Sequence, residues 1–254
     1  MHSLTGSSLA VLLVSLSLLG CSGDGGDSVD SSNGVQDDPA PVPASGAPTL
    51  PWFSRPFSGN YAVMNFFDHD VPNGGDSPSG GYQLTWRGEH AIPGVHIGGY
   101  DGHTGVDWIM PVGTPLFAVA DGVVVFAGES APAYCRLMNA TLSSIHVLIR
   151  HRAPNGDVYV VNYNHMSRVD VATNASVTAG QPIGASGASG CVGRDGTPHL
   201  HFNVVRTTNT NGGVAAHVDP YGWQGPGADP WAQHPEGAAS VWLWRPGEAP
   251  SLVR

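Results

Sequence analysis

Three short stretches carry residue types that can hold a metal ion or move a proton. The first is Thr197-Pro198-His199-Leu200-His201-Phe202-Asn203-Val204-Val205. Read as a strand, its side chains alternate between two faces. Leu200, Phe202 and Val204 form an apolar face suited to a core, while His199, His201 and Asn203 point the other way. The two imidazoles then project side by side with Cα atoms ~6.5–7 Å apart, so one can touch a metal while the other stands next to it. The second stretch runs from Gly98 to Trp108 and holds His103 and Asp107 four residues apart. That spacing would put them on one face of a helix, but the surrounding glycines and β-branched residues favour a loop running into a strand. Either way an imidazole and a carboxylate stand close. The third is Val158 to His165, a strand on which Tyr159, Val161, Tyr163 and His165 share one face by alternation.

The elements around these stretches read as short strands and turns. Gly113-Thr114-Pro115 opens a strand over 116–120, Asp121-Gly122 is a hairpin signal, and 123–127 returns. Residues 129–144 read as an irregular loop carrying Cys135. A strand over 145–151 and a second hairpin turn at Asn155-Gly156 lead into Val158 to His165. Val177 to Gly190 has the spacing of short strands with glycine turns. The expectation is a mainly antiparallel β domain.

The sequence resembles the lysostaphin-type (LytM or β-lytic) zinc metallopeptidases. His103-x-x-x-Asp107, Tyr163-Asn164-His165-Met166 and His199-Leu200-His201 look like that family's three signatures. Gly113-Thr114-Pro115, Ala120-Asp121-Gly122-Val123-Val124 and Gly180-Gln181-Pro182-Ile183-Gly184 match its connecting words. Any one signature is weak; the three in order are specific. Two departures are Asn-His-Met where Ala-His-Leu is usual, and a longer loop around Cys135. The resemblance implies a barrel-sandwich (duplicated hybrid motif) core with a groove over one sheet. It also implies one zinc per chain held by His103, Asp107 and His201, with a fourth position open to water. His165 and His199 would divide the general acid–base and oxyanion-stabilising roles. The implied activity is hydrolysis of peptide cross-links in bacterial peptidoglycan. Two competing readings are a secreted zinc protease acting on proteins and a non-catalytic lipoprotein that activates a cell-wall amidase. Intact metal ligands speak against the second.

Outside the resemblance the chain divides by composition. Residues 1–21 read as an export signal: Leu9 to Leu19 is apolar apart from two serines and runs into Leu18-Leu19-Gly20-Cys21, which looks like a bacterial lipobox with Cys21 acylated. An ordinary cleaved signal with an incidental cysteine is the alternative, and Met1-His2-Ser3 lacks the usual cation. Ser22 after the cysteine suits an outer-membrane lipoprotein. Residues 22–50 read as a disordered tether, 51–94 as an N-terminal extension, 95–206 as the peptidase core, and 207–254 as a Trp-rich C-terminal extension. The tail tryptophans are read as packing against the domain, with a glycan-binding edge as the alternative.

Of the remaining histidines, His151 is expected to be exposed or structural. His69, His90, His96, His146, His217 and His234 are expected to be surface or hydrogen-bonded residues, with a turn or salt-bridge role for Asp68-His69-Asp70. With Cys21 lipidated, Cys135 and Cys191 remain as an even pair; outside the cytoplasm a disulfide is the default, and two buried thiols are the alternative. All ten cations are arginine and the net charge is −10. No basic cluster exists, which argues against nucleic acid as a partner. A monomer is expected.

Overall fold

The structure, a computed structural model, describes residues 51–70, 82–91, 102–135, 138–193, 195–207 and 215–253. Cys21 and its lipobox, His96 and the tether lie outside these residues. Among the described residues the regular structure is strand, apart from one 3-10 turn at Trp231–Gln233.

One large antiparallel sheet organises the domain. In spatial order it runs Val63–Asn65, Val106–Ile109, His199–Thr207, Val158–Asn164, Ile145–Arg152, Gly122–Glu129 and Ser176–Val177. The strand His199–Thr207 lies at its heart. Val158–Asn164 pairs along one edge of it; Val106–Ile109 and then Ala216–Val218 share the other edge. A second sheet joins Met166–Val169, Pro182–Ser186 and Pro115–Phe117.

The central strand alternates as its sequence demands. Leu200, Phe202 and Val204 are fully buried in the main core with Val161, Tyr163, Ile149 and Trp108. Both extensions complete that core: Trp52, Phe53 and Phe57 come from the N-terminal side, Leu243 and Trp244 from the tail. Phe53 bridges to Trp244 in parallel, and the Trp244 ring lies 5.9 Å from that of Phe202. The tail tryptophans thus divide, with Trp231 and Trp244 buried and Trp242 exposed.

Two expectations are corrected. Asp121-Gly122 does not join a hairpin: Pro115–Phe117 pairs with Pro182–Ser186, whereas Gly122–Glu129 pairs with Ile145–Arg152 and Ser176–Val177. Gly122 serves close approach instead, since a Cβ there would stand 2.6 Å from the Arg150 carbonyl oxygen and 2.7 Å from His151 Nδ1. The stretch 129–144 is not wholly irregular; Ala133–Cys135 and Ala140–Leu142 pair within it. His151 takes the structural of its two expected roles: it is fully buried with Nδ1 3.0 Å from the Asp121 carbonyl oxygen, and burial pushes its imidazole down to about 4. By contrast, the hairpin at Asn155-Gly156 is present, with Gly156 at φ +91°.

Candidate active site

Strand pairing assembles the site. His201 lies directly opposite Asp107 on one neighbouring strand and opposite Asn164 on the other. His103 sits in the loop just before Val106–Ile109, as its glycine-rich surroundings indicate. Gly105 allows that loop to press on the central strand, because a Cβ would meet the Phe202 carbonyl oxygen at 2.5 Å and Asn203 Cβ at 2.8 Å.

His165 reaches the site by a route that alternation does not foresee. Regular continuation of Val158–Asn164 would place it beside Tyr163 in the core, where the Tyr163 ring packs 5.4 Å from Phe202. Instead His165 adopts a left-handed backbone at φ +61° and turns onto the opposite side. Its ring centroid lies 4.6 Å from that of His199 and 6.0 Å from that of His201. The shared face expected for Tyr159, Val161, Tyr163 and His165 therefore holds for the first three alone.

Three donor atoms converge. His103 Nε2, Asp107 Oδ1 and His201 Nδ1 form a triangle with edges of 3.2, 2.8 and 3.0 Å. A tetrahedral zinc with ligand bonds of ~2.0–2.2 Å needs donors separated by about 3.3–3.6 Å, so this triangle would hold such an ion after its edges spread by roughly half an ångström. The protonation pattern also fits. His103 Nδ1 lies 2.8 Å from the Phe66 carbonyl oxygen, which can only accept. The proton therefore sits on Nδ1 and the Nε2 lone pair faces the site. All three residues are buried. Burial pushes the Asp107 carboxyl up, but the surrounding His103, His199 and His201 outweigh this and hold it well below the usual carboxylate range. Burial lowers His201 and its histidine neighbours lower it further, against the opposing pull of Asp107.

Two more imidazoles border the triangle. His199 donates from Nδ1 to the Thr197 carbonyl oxygen at 2.8 Å, which turns Nε2 toward the triangle, 3.9 Å from Asp107 Oδ1. His165 donates from Nδ1 to the Ser189 carbonyl oxygen at 2.7 Å. Burial, and then the neighbouring His199 and His201, hold it well below its ordinary value, so it is neutral at pH 7. Ser189 is itself fixed, its hydroxyl accepting from the Ile145 amide at 2.9 Å. Two residues further on, Cys191 is joined to Cys135 across 56 residues of chain.

All five residues expected at the site are thus brought together: His103, Asp107, His165, His199 and His201. Of the residues that hold them, Asn65 and the Phe66 carbonyl were missed by sequence reasoning, and Asp68 was read only as part of a turn or salt-bridge segment. Asn65, the Phe66 carbonyl and Asp68 come from the N-terminal extension, which shows no recognisable pattern. Asp68 receives the Gly102 amide at 3.0 Å, and its own amide donates to the His103 carbonyl oxygen at 2.9 Å.

Comparisons with known proteins bear on the same stretch. Residues 101–218 match Peptidase family M23. The peptidoglycan DD-endopeptidase ShyA of Vibrio cholerae serotype O1 is 35% identical over 103 residues, covering 41% of this chain and 20% of that protein. The glycyl-glycine endopeptidase ALE-1 of Staphylococcus capitis is 37% identical over 109 residues, 43% of this chain and 26% of its own length. The chain thus spans only about a fifth to a quarter of the length of these relatives. The catalytic domain of lysostaphin, an antimicrobial peptidase from Staphylococcus simulans, aligns with a TM-score of 0.34 and 31% identity, covering 46% of this chain and 77% of that one.

Proposed function

We propose, from a chain whose residues 101–218 are a peptidase family M23 domain, that this protein is a zinc-dependent endopeptidase. Its substrate is the peptide cross-link of bacterial peptidoglycan in the cell envelope. One observation carries the reading: three lone-pair donors converge within 3.2 Å of one another, and two further imidazoles border them. The donor set of two histidines and a carboxylate is that of a catalytic zinc centre, with one position left for water. When bound, zinc supplies Lewis acidity and brings the pKa of a coordinated water to about 7.

The chain's own residues do the rest. His103, Asp107 and His201 would hold one zinc per chain. His199 presents its Nε2 beside the donor triangle, placed to take a proton from the attacking water. His165, neutral and held by Ser189, stands beside it. Once charged, either imidazole can return a proton to the leaving amine or steady the oxyanion of the tetrahedral species. The apolar backing of Leu200 and Phe202 keeps these groups from wandering.

The envelope location rests on the sequence. Leu18-Leu19-Gly20-Cys21 supports export and acylation at Cys21, giving an outer-membrane lipoprotein anchored through its N-terminus. The Cys135–Cys191 pairing suits the same oxidising compartment.

The decisive experiment is mass spectrometry of the products released by the purified protein from peptidoglycan sacculi, with and without chelator, beside casein. Cleaved cross-links that disappear on chelation and return with zinc are expected. Cleavage of casein with intact sacculi would overturn the substrate.

A further inference from the structure

Asn65 lies outside the family-matched residues, yet it touches the metal site. It ends the strand Val63–Asn65 and pairs directly with Asp107 on the neighbouring strand. Its Nδ2 lies 2.8 Å from Asp107 Oδ2, and both side chains are buried. The contact fixes which end of the amide faces Asp107, because a carbonyl turned toward a carboxylate would repel it. We propose that Asn65 is a positioning residue for the metal centre, holding Asp107 as a one-oxygen ligand; this rests on the zinc reading given above.

The carboxylate has two oxygens and can offer a metal either one, or both. Asn65 occupies Oδ2 with a hydrogen bond. Oδ1 is then the oxygen turned to the donors, 2.8 Å from His201 Nδ1 and 3.2 Å from His103 Nε2. Rotating the carboxylate to present both oxygens would break the amide's hydrogen bond inside a dry interior. A single-oxygen Asp107 keeps the coordination number low and leaves room for water.

A purely structural role explains this residue poorly. The Asn65 side-chain oxygen Oδ1 is buried and has no hydrogen-bond partner among the described residues. An apolar side chain of equal size would relieve that group but leave the buried Asp107 Oδ2 without its donor. Asparagine at this position thus carries one unsatisfied oxygen while supplying one donor to Asp107. The same short segment reinforces the effect, since the next residue's carbonyl holds His103 through its Nδ1. The N-terminal extension therefore belongs to the working metal site.

The test measures zinc affinity by competition with a chromogenic chelator on the full chain. The variants are Asn65→Leu, which keeps the volume and removes the donor, and Asn65→Ala, with Asp107→Ala as reference. Loss of an outer partner of a metal ligand weakens affinity by about 10–100-fold. That loss is expected in Asn65→Leu while the metal-free protein melts at or above Asn65→Ala, which removes the same donor and leaves a cavity besides. The visible spectrum of the cobalt-substituted variant should also change, reporting altered coordination. If both Asn65 variants bind zinc as tightly as the parent while Asp107→Ala does not bind, the positioning role is wrong and the metal reading stands. Equal loss of metal-free stability and zinc affinity in both variants would likewise overturn it, as that marks a merely structural side chain. If Asp107→Ala itself keeps zinc, the metal reading fails and takes the inference with it.

Discussion

Two buried clusters in this molecule are built from the same residue types, and their chemistry is opposite. In the first, His103, Asp107 and His201 point three donors at one spot, with Asp107 Oδ1 shared by both imidazoles at 2.8 and 3.2 Å. In the second, His69 lies between Asp229, 2.9 Å from Nδ1, and Asp219, 3.1 Å from Nε2. There the carboxylates sit on opposite edges of one ring, so no point in space sees three donors. Burial disfavours a charged His69, but the bonds to Asp219 and Asp229 outweigh it and raise the imidazole to about 9. It is an imidazolium at neutral pH and needs no outside cation. His201 in the first cluster, and His165 at its border, are instead held below their ordinary value. Geometry, rather than composition, decides whether a His–Asp cluster recruits a metal or satisfies itself.

The sharpest way to break this contrast is to remove a converging donor. Asp107→Ala or His201→Ala should empty the zinc site and abolish hydrolysis of sacculi, measured as metal per chain and as released product. The bordering histidines should behave otherwise. His199→Ala and His165→Ala are expected to keep zinc and lower turnover by ~10²–10⁴, the usual cost of lost acid–base help. A His199→Ala protein that sheds zinc as readily as His201→Ala would redraw the division between ligand and proton carrier.

The next effect concerns how the first cluster is held. His165 leans on the Ser189 carbonyl, two residues from Cys191, and Cys191 is tied to Cys135. Replacing both cysteines by serine removes a cross-link closing a loop of 56 residues. The chain-entropy description puts the loss at ~4 kcal/mol. Denaturant unfolding should show it, zinc content should not change, and turnover should fall as His165 loses its fixed partner. Peptide mapping without reduction should recover Cys135 joined to Cys191; two alkylated thiols would remove the premise.

The two clusters also differ in how far sequence reveals them. His199 and His201 were legible because alternation on a strand with an apolar back face leaves little choice of direction. His103 and Asp107 were legible as an imidazole and a carboxylate standing close, but it was the family resemblance, not their spacing, that implied a shared metal. His165 was identified by its surrounding words, but its direction was not: a single left-handed residue reverses the face, and nothing local in Tyr163-Asn164-His165-Met166 announces it. Asp121-Gly122 misled because a turn dipeptide describes a bend, not which strands pair afterwards. The His69 clamp was visible only as a local salt-bridge segment, since its partners lie 150 and 160 residues away in the chain. Such partnerships depend on how the two extensions meet over the sheet.

The mildest test addresses the clamp by pH. The folded-state value of His69 is raised to about 9, above the ordinary 6.5, so native His69 binds its proton more tightly than the unfolded chain does. Its contribution is fully present below pH 6.5 and is lost as pH rises through 9. The side chain is wholly buried, so little is screened; at 1.36 kcal/mol per pKa unit the contribution is on the order of 3 kcal/mol. The groups facing the ring are Asp219, Asp229 and the rings of Phe67 and Trp223. Asp68 complicates the raw curve. Burial and its neighbour Asp70 raise its carboxyl to about 8, against hydrogen bonds from Leu84 and Gly102. Its effect is therefore also lost with rising pH, between about 4 and 8. The difference between the parent and His69→Gln, both metal-free, isolates the imidazolium. The parent should lose roughly 6–12 °C of melting temperature between pH 6.5 and 9.5 beyond any loss in His69→Gln. Parallel melting curves for the two proteins across that range would mean that His69 sits neutral between its carboxylates, and the contrast between the clusters would collapse.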